Sequence, residues 1–190
     1  HIGVPLTLAS LTNMQKYAVI EIGTNSPGEI NNLSAKVTPD IALIINAAAS
    51  HLEKLDSVEK VANEKSYILR HLKNDGVAVL PRDSEFFSYW KEKCVNKRII
   101  SFGFHQNSDI WLRNVQSDFL KNKISFELNY AHKSIKCFMN GIGVHNSLNA
   151  CAALAVCHAL EMDLEEISVN LSKVTYPSRR MEVHKGLKGS

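Results

Sequence analysis

The sequence predicts an α/β fold: an open, mostly parallel sheet flanked by helices, with a small antiparallel β-sheet subdomain. Up to about residue 102, short apolar runs alternate with amphipathic stretches, which is the order of a parallel sheet covered on both faces. Between residues 108 and 140, three short segments alternate polar and apolar side chains and are separated by polar turns. A hydrophobic content of 45% over 190 residues is enough to build a substantial core.

The first half of the chain supplies four predicted strands, at residues 17–22, 41–45, 77–80 and 98–102, and three helices, at 28–37, 57–72 and 83–93. The first strand is apolar on both faces, which is typical of a buried parallel strand. Ser57 is placed to cap the second helix, whose apolar residues recur at helical spacing. Asp83 is expected to open the third helix.

The second half supplies three antiparallel strands, at residues 110–115, 123–128 and 134–139, and two helices, at 144–160 and 164–171. Gly141 and Gly143 introduce the first of these helices, and Asp163 caps the second. Residues 1–175 are therefore predicted to form one domain that includes the antiparallel sheet. The basic, glycine-containing residues 176–190 are predicted to be a junction to a further domain, and the abrupt start suggests a piece of a longer protein.

Composition excludes several classes of function. The chain has 22 Lys and Arg against 19 Asp and Glu, so its formal charge of +3 is too balanced to indicate a nucleic-acid partner. It has no apolar run near the ~20 residues of a membrane span, and its start lacks the order of a signal peptide. We therefore expect a cytoplasmic protein. Its four cysteines form no CxxC pair, so we expect buried structural thiols.

A carboxylate and an imidazole follow two successive predicted strands. Glu21 lies at the carboxyl end of the first strand, and His51 follows the second. Ligands of open parallel sheets bind at this edge, so the two side chains are candidates for a shared cation site. The alternatives are that Glu21 accepts hydrogen bonds from the next helix and that His51 is a helix cap or a core residue. Mg²⁺ prefers oxygen ligands, so His51 would indicate a softer metal or an indirect role.

Lys65 lies on the apolar stripe of its predicted helix. It follows Val61 by four residues and precedes Leu69 by four. Loss of water around the amine would depress its pKa, and a neutral amine reacts with carbon dioxide or acts as a base. The alternative is that the aliphatic stem lies along the core while the ammonium reaches water.

The glycines at 141 and 143 precede a cluster of polar residues at a helix start. His145 or Asn146 is placed to cap this helix, and Asn149, one turn on, is placed to offer its amide to an adenine edge. Arg180 belongs to an arginine pair that suits phosphate recognition, although such a pair in a linker is often only solvated. The sequence has no GxxxxGK[ST] phosphate-binding loop.

Several of these residues fall in motifs that together resemble the Mur ligases. The motifs, in order, are His1-Ile-Gly-Val-Pro-Leu-Thr-Leu, Val19-Ile-Glu-Ile-Gly-Thr-Asn, Gly28-Glu-Ile, His51-Leu-Glu, Val61-Ala before Lys65, Gly143-Val-His-Asn-Ser-Leu-Asn-Ala, and the stretch 177–182. By this resemblance, residues 1–175 correspond to the central ATP-binding domain of a three-domain protein, without its phosphate-binding loop. The N-terminal domain and most of the C-terminal domain would lie outside this sequence.

The resemblance implies an ATP-dependent amide ligase of peptidoglycan-precursor synthesis. Its cofactors would be ATP and Mg²⁺, and its small-molecule substrates UDP-N-acetylmuramoyl-tripeptide and D-alanyl-D-alanine, joined through an acyl phosphate. By the same resemblance, Glu21 and His51 are metal-site residues and Lys65 is the lysine that becomes carbamylated. The nucleotide-contacting residues would be Asn46, Asn146, Asn149 and Arg180. The alternatives are a related ligase such as folylpolyglutamate synthase, or a non-catalytic paralogue that keeps the fold as an interaction module.

Overall fold

Six strands form one mixed sheet, and they lie across it in the order in which they occur along the chain. This is a computed structural model of the chain, and it describes residues 2–48 and 55–175. The strands are β1 Ile41–Leu43, β2 Val77–Pro81, β3 Arg98–Gly103, β4 Ile110–Asp118, β5 Lys123–Tyr130 and β6 Lys133–Asn140. With the helices given below, they confirm the predicted α/β class.

Of the six α-helices bounded within the described residues, the first was not predicted and the other five overlap predicted helices. The six helices are α1 Gly3–Ser10, α2 Glu29–Val37, α3 Val58–Arg70, α4 Phe87–Lys93, α5 Val144–Ala159 and α6 Leu164–Ser168, which a 3₁₀ turn at Val169–Lys173 extends. The Ser57 hydroxyl accepts a hydrogen bond from the Lys60 backbone N–H (3.3 Å), which confirms Ser57 as the cap of α3. Asp163 caps α6 in the same way, through the Glu165 N–H (2.8 Å).

The chain divides into two compact units, one built from residues up to 78 together with 84–99, the other from 79–83 and the residues from 100 on. In the first unit, α2 packs on α3. Trp90 on α4 is fully buried, and its indole N–H donates to the Ala62 carbonyl of α3 (3.0 Å). The Tyr89 hydroxyl donates to the Asn63 side chain of the same helix (2.7 Å). These contacts fix α3 in its unit.

The prediction of a strand at residues 17–22 is wrong. The segment is neither helix nor strand, and Tyr17 and Val19 are 49% and 96% exposed. An apolar strand is stable only where neighbouring strands satisfy its backbone groups. Among residues 2–48 and 55–175, no backbone hydrogen bond joins this segment to a strand.

Asp83 does not open a helix, because α4 begins only at Phe87. The Asp83 carboxylate instead accepts hydrogen bonds from the backbone N–H groups of Phe104 (2.5 Å) and His105 (3.0 Å). It lies so close to Gly103, where φ is +150°, that a Cβ at that position would collide with it. Asp83 therefore closes the turn after β3 within the second unit.

The second unit contains the predicted antiparallel strands. β4 pairs with β5 and β5 with β6, both antiparallel, while β4 joins β3 in parallel and so continues the main sheet. The inward apolar residues of β4 and β5 are almost completely buried, each at most 2% exposed: Ile110, Leu112, Ile124, Phe126 and Leu128. The alternation that predicted these strands therefore corresponds to one buried and one more exposed face of the sheet.

The cysteines are free thiols with a structural environment, as their spacing predicted. All four are free; Cys94, Cys137 and Cys151 are buried and Cys157 is half-buried. Burial raises the pKa of Cys94 and Cys137 to about 11 and that of Cys151 to about 12. These thiols therefore remain protonated at neutral pH.

None of the helices in the described part of the chain has the length and apolar character needed to cross a bilayer. The longest of them, α5, has 16 residues.

Candidate active site

A cavity of about 270 Å³ in the first unit is lined by Glu21. The other lining residues come from α1, from the loop before α2 and from α2 itself: Gly3, Val4, Gly23, Thr24, Asn25, Glu29 and Leu33. The Glu21 side chain is exposed rather than buried in a sheet. Glu21 is therefore an exposed residue at a concave surface that is accessible to a ligand.

The loop after Glu21 is held by hydrogen bonds that its backbone N–H groups donate to a carboxylate at the start of α2. The Glu29 carboxylate accepts from the backbone N–H groups of Asn25 (2.6 Å) and Ser26 (3.2 Å). The Asn25 N–H is the main cause of a lowered pKa for Glu29, and the Ser26 N–H adds to it. The Thr24 hydroxyl donates to the Ser26 carbonyl (2.8 Å). Glu29 is therefore ionised at neutral pH and fixes the turn that follows Glu21.

The N-terminus of α2 is capped by a residue from another helix. Gly28 is the cap residue and has no side chain to offer, so the first amides of the helix need a distant acceptor. Glu64 of α3 supplies it, because its two carboxylate oxygens accept from the N–H groups of Gly28 (2.8 Å) and Ile30 (2.9 Å). Glu64 is only 3% exposed.

Glu64 is absent from the site residues predicted from the sequence, where Glu21 was the carboxylate given a capping role as an alternative. Two signals were available. Glu64 follows Val61 by three residues and precedes Ile68 by four, so it lies on the apolar stripe of α3. The helix that starts after Gly28 also has no Ser, Thr, Asp or Asn at its cap position.

Lys65 lies on α3 next to Glu64 and is half-buried. Burial lowers the pKa of its amine below the ordinary lysine value, because the protein removes water that would solvate the ammonium. The position on the apolar stripe was predicted from the sequence, and the lowered pKa agrees with the first of the two alternatives considered there, loss of water around the amine. A larger fraction of the amine is therefore neutral at a given pH than in an exposed lysine.

We expect this lowered pKa to appear in the chemical reactivity of Lys65. Only the neutral amine reacts with acetic anhydride, so its labelling rate follows the neutral fraction across the range of about pH 6 to 11. In bicarbonate-free buffer, the midpoint of the Lys65 profile should lie below that of free Nα-acetyl-lysine amide, measured by mass spectrometry in the same solution. A midpoint at or above that of the free amine would contradict the burial argument.

The predicted nucleotide-binding asparagines lie in different elements. Asn46 is exposed and follows β1. Asn146, in the first turn of α5, is buried, and its amide donates to the Ile142 carbonyl (2.7 Å), so it holds the glycine-flanked turn before the helix. Asn149, one turn further along α5, is exposed. Its amide is therefore accessible to a ligand.

Two predicted site residues, His51 and Arg180, lie outside the described residues. Within residues 2–48 and 55–175, no group of three or more His, Cys, Asp or Glu side chains is arranged to hold a metal ion. The grouping of Glu21, His51 and Lys65 therefore stays a prediction. The donors around the cavity fit a magnesium ion in type, because the side chains of Glu21, Thr24 and Asn25 all carry the hard oxygen atoms that Mg²⁺ prefers.

Comparison with known proteins identifies the family. Residues 1–157 match the model of the Mur ligase middle domain. The chain is 33% identical over 183 residues to the UDP-N-acetylmuramoyl-tripeptide--D-alanyl-D-alanine ligase of Buchnera aphidicola subsp. Baizongia pistaciae, and 32% identical over 174 residues to that of Escherichia coli. These alignments cover 96% and 91% of the chain but only 39% and 38% of the two relatives. The chain thus spans less than half the length of the relatives it matches.

Solved structures give the same result for the fold. MurF from Acinetobacter baumannii superposes with a TM-score of 0.91 at 29% identity, over 98% of this chain and 40% of that one. The MurF ligase of Thermotoga maritima, solved in complex with ADP, superposes with a TM-score of 0.71 at 23% identity, over 86% of this chain and 38% of that one.

Proposed function

Because the chain belongs to the Mur ligase family, we propose that the protein containing it is an ATP-dependent ligase that joins D-alanyl-D-alanine to UDP-N-acetylmuramoyl-tripeptide. The observation that carries this proposal is the similarity to ligases of that name along almost the whole chain, 33% identity over 96% of it in one case. We place the enzyme in the cytoplasm, where ATP and UDP-linked precursors are available. The chain would supply the central domain of the enzyme.

The proposed reaction has two steps. An oxygen of the terminal carboxylate of the tripeptide attacks the γ-phosphorus of ATP, and ADP leaves, which gives an acyl phosphate. The amino nitrogen of D-alanyl-D-alanine then attacks the acyl carbon, loses a proton and displaces phosphate to form the amide. Each step gathers negative charge near the phosphates, so the protein must place compensating cations and hydrogen-bond donors there.

Glu21, His51 and a carbamylated Lys65 are the residues that would hold Mg²⁺. When bound, Mg²⁺ would neutralise phosphate charge near the reacting atoms. The neutral amine of Lys65 would add to the carbon of CO₂ and release one proton, which gives a carbamate anion with two oxygen atoms. The half-buried position of Lys65 and its lowered pKa support this role, because both favour the neutral amine.

The nucleotide would be held by Asn46, Asn146, Asn149 and Arg180. The accessibility of Asn46 and Asn149 supports direct contact, while the bond from Asn146 to the Ile142 carbonyl supports an orienting role for that residue. Arg180 would supply a guanidinium to the phosphates, the pairing that its fork of donors suits. In this arrangement the amides orient ATP and the arginine offsets its charge.

The experiment that tests the proposal is a phosphate-release assay on the full-length protein with UDP-N-acetylmuramoyl-tripeptide, ATP and Mg²⁺. We expect release to require D-alanyl-D-alanine as well. Release driven by a folate and glutamate instead would favour the folylpolyglutamate synthase alternative. No release from a folded protein with any amine acceptor would favour the non-catalytic paralogue.

A further inference from the structure

Glu64 is the buried carboxylate that joins the two helices of the candidate site. It lies on α3, directly before Lys65, and both of its oxygens accept backbone N–H groups of the α2 N-terminus. The bonded residues are 36 and 34 positions away in the chain, so these bonds tie together segments that are distant in sequence. The positive end of the α2 dipole further stabilises a negative charge at this point.

The bonds continue from α2 towards Glu21. Glu29, the first residue of α2, lies between the two amides that Glu64 holds, and its own carboxylate holds the Asn25 and Ser26 amides. Those residues belong to the loop that follows Glu21, and Glu21, Asn25 and Glu29 line the same cavity. Two pairs of hydrogen bonds, joined through the backbone at the start of α2, thus connect the helix of Lys65 with the loop after Glu21.

We propose that Glu64 is a positioning residue that fixes the Glu21 loop relative to the helix of Lys65, and so sets the affinity of the cation site. This inference rests on the proposed function, since that function assigns the cation to Glu21 and Lys65. Glu64 touches no reacting atom in this account. It acts through the backbone amides of Gly28 and Ile30.

The contact with the Gly28 and Ile30 N–H groups requires a carboxylate on a side chain as long as that of glutamate. Both N–H groups are donors, so the residue that meets them must present two acceptors. In Glu64→Gln, the carbonyl oxygen accepts one N–H while the NH₂ group faces the other donor. In Glu64→Asp, both acceptors remain, but the stem is shorter by one methylene group. Each variant therefore weakens the connection while keeping a side chain of similar polarity.

The test measures Mn²⁺ binding by electron paramagnetic resonance in the full-length protein with ADP, using Mn²⁺ as a probe for Mg²⁺. We expect Glu64→Gln to weaken Mn²⁺ binding about tenfold, the lower end of the effect of residues that orient metal ligands. Glu64→Asp should bind with intermediate affinity. Hydrogen exchange should show faster exchange at the Gly28 and Ile30 amides in both variants. Glu59→Gln is the matched control, because Glu59 is an exposed carboxylate on the same helix.

The outcomes separate this inference from the proposed function. If Glu64→Gln and Glu64→Asp free the two amides but bind Mn²⁺ as the wild type does, the positioning role is wrong. If the wild type binds no Mn²⁺ even with ADP, the positioning role is wrong as well, because there is then no cation site whose affinity Glu64 could set. If Mn²⁺ binding weakens as expected but the wild type releases no phosphate with D-alanyl-D-alanine, the positioning role stands and the proposed ligase activity fails.

Discussion

Replacing Lys65 by Ala in the full-length protein is expected to lower the ligation rate about a thousandfold, the scale of losing a main electrostatic contact to a reacting group. The substitution removes the amine that would be carbamylated, and with it an anionic ligand of the cation. Added formate or acetate should restore part of the rate, because a small carboxylate fits the space and supplies similar oxygen atoms. The measurement is initial-rate kinetics with saturating substrates, with and without the added acid.

Lys60→Ala provides the control for this prediction. Lys60 lies on the same helix, but it is exposed and forms an ion pair with Asp56. Surface pairs of this kind contribute little to stability, so the control should ligate at nearly the wild-type rate. A Lys65→Ala protein that ligates as fast as Lys60→Ala would remove Lys65 from the mechanism. Loss of activity without rescue would leave Lys65 important but would argue against a carbamate.

Glu21→Gln is expected to raise the Mg²⁺ concentration needed for half-maximal rate by tenfold or more, and to lower kcat about a hundredfold. The change keeps the size of the side chain and removes its charge. Because Glu21 is exposed and lines the cavity, the substitution should leave stability nearly unchanged. The measurement is a Mg²⁺ titration of the initial rate, together with the thermal unfolding midpoint.

The matched control is Glu92→Gln, an exposed carboxylate on α4 of the same unit. It should alter neither the Mg²⁺ requirement nor kcat. An unchanged Mg²⁺ requirement in Glu21→Gln would show that the cation is held elsewhere. A large loss of thermal stability would instead show that Glu21 has a structural role.

The sequence predicted the elements whose signal lies within a short stretch of chain. The Ser57 and Asp163 caps and the Ala-rich helix α5 depend on residues a few positions apart, and they occur as expected. The antiparallel strands were recognisable from the alternation of side chains within each strand, although their pairing joins residues further apart. The position of Lys65 on the apolar stripe was also predictable, but the spacing left open whether its amine loses water, and the burial seen in the fold lowers its pKa.

The errors concern contacts between residues distant in sequence. Residues 17–22 have the composition of a buried strand, but a strand forms only where partner strands are present. Asp83 resembles a helix cap, yet its carboxylate serves the turn after β3, about twenty residues away. Glu64 caps a helix that begins 35 residues earlier in the sequence, at Glu29. Composition and spacing do not reveal such pairings without the fold.

The most direct test of the central claim is isotope transfer in the ligation reaction. The tripeptide substrate carries ¹⁸O in both oxygens of its terminal carboxylate, and the released phosphate is analysed by mass spectrometry. Activation through an acyl phosphate predicts that each phosphate released in the presence of D-alanyl-D-alanine carries one ¹⁸O atom, while the other remains in the new amide. Phosphate released without ¹⁸O would contradict the account, because ATP would then be hydrolysed without activation of the carboxylate.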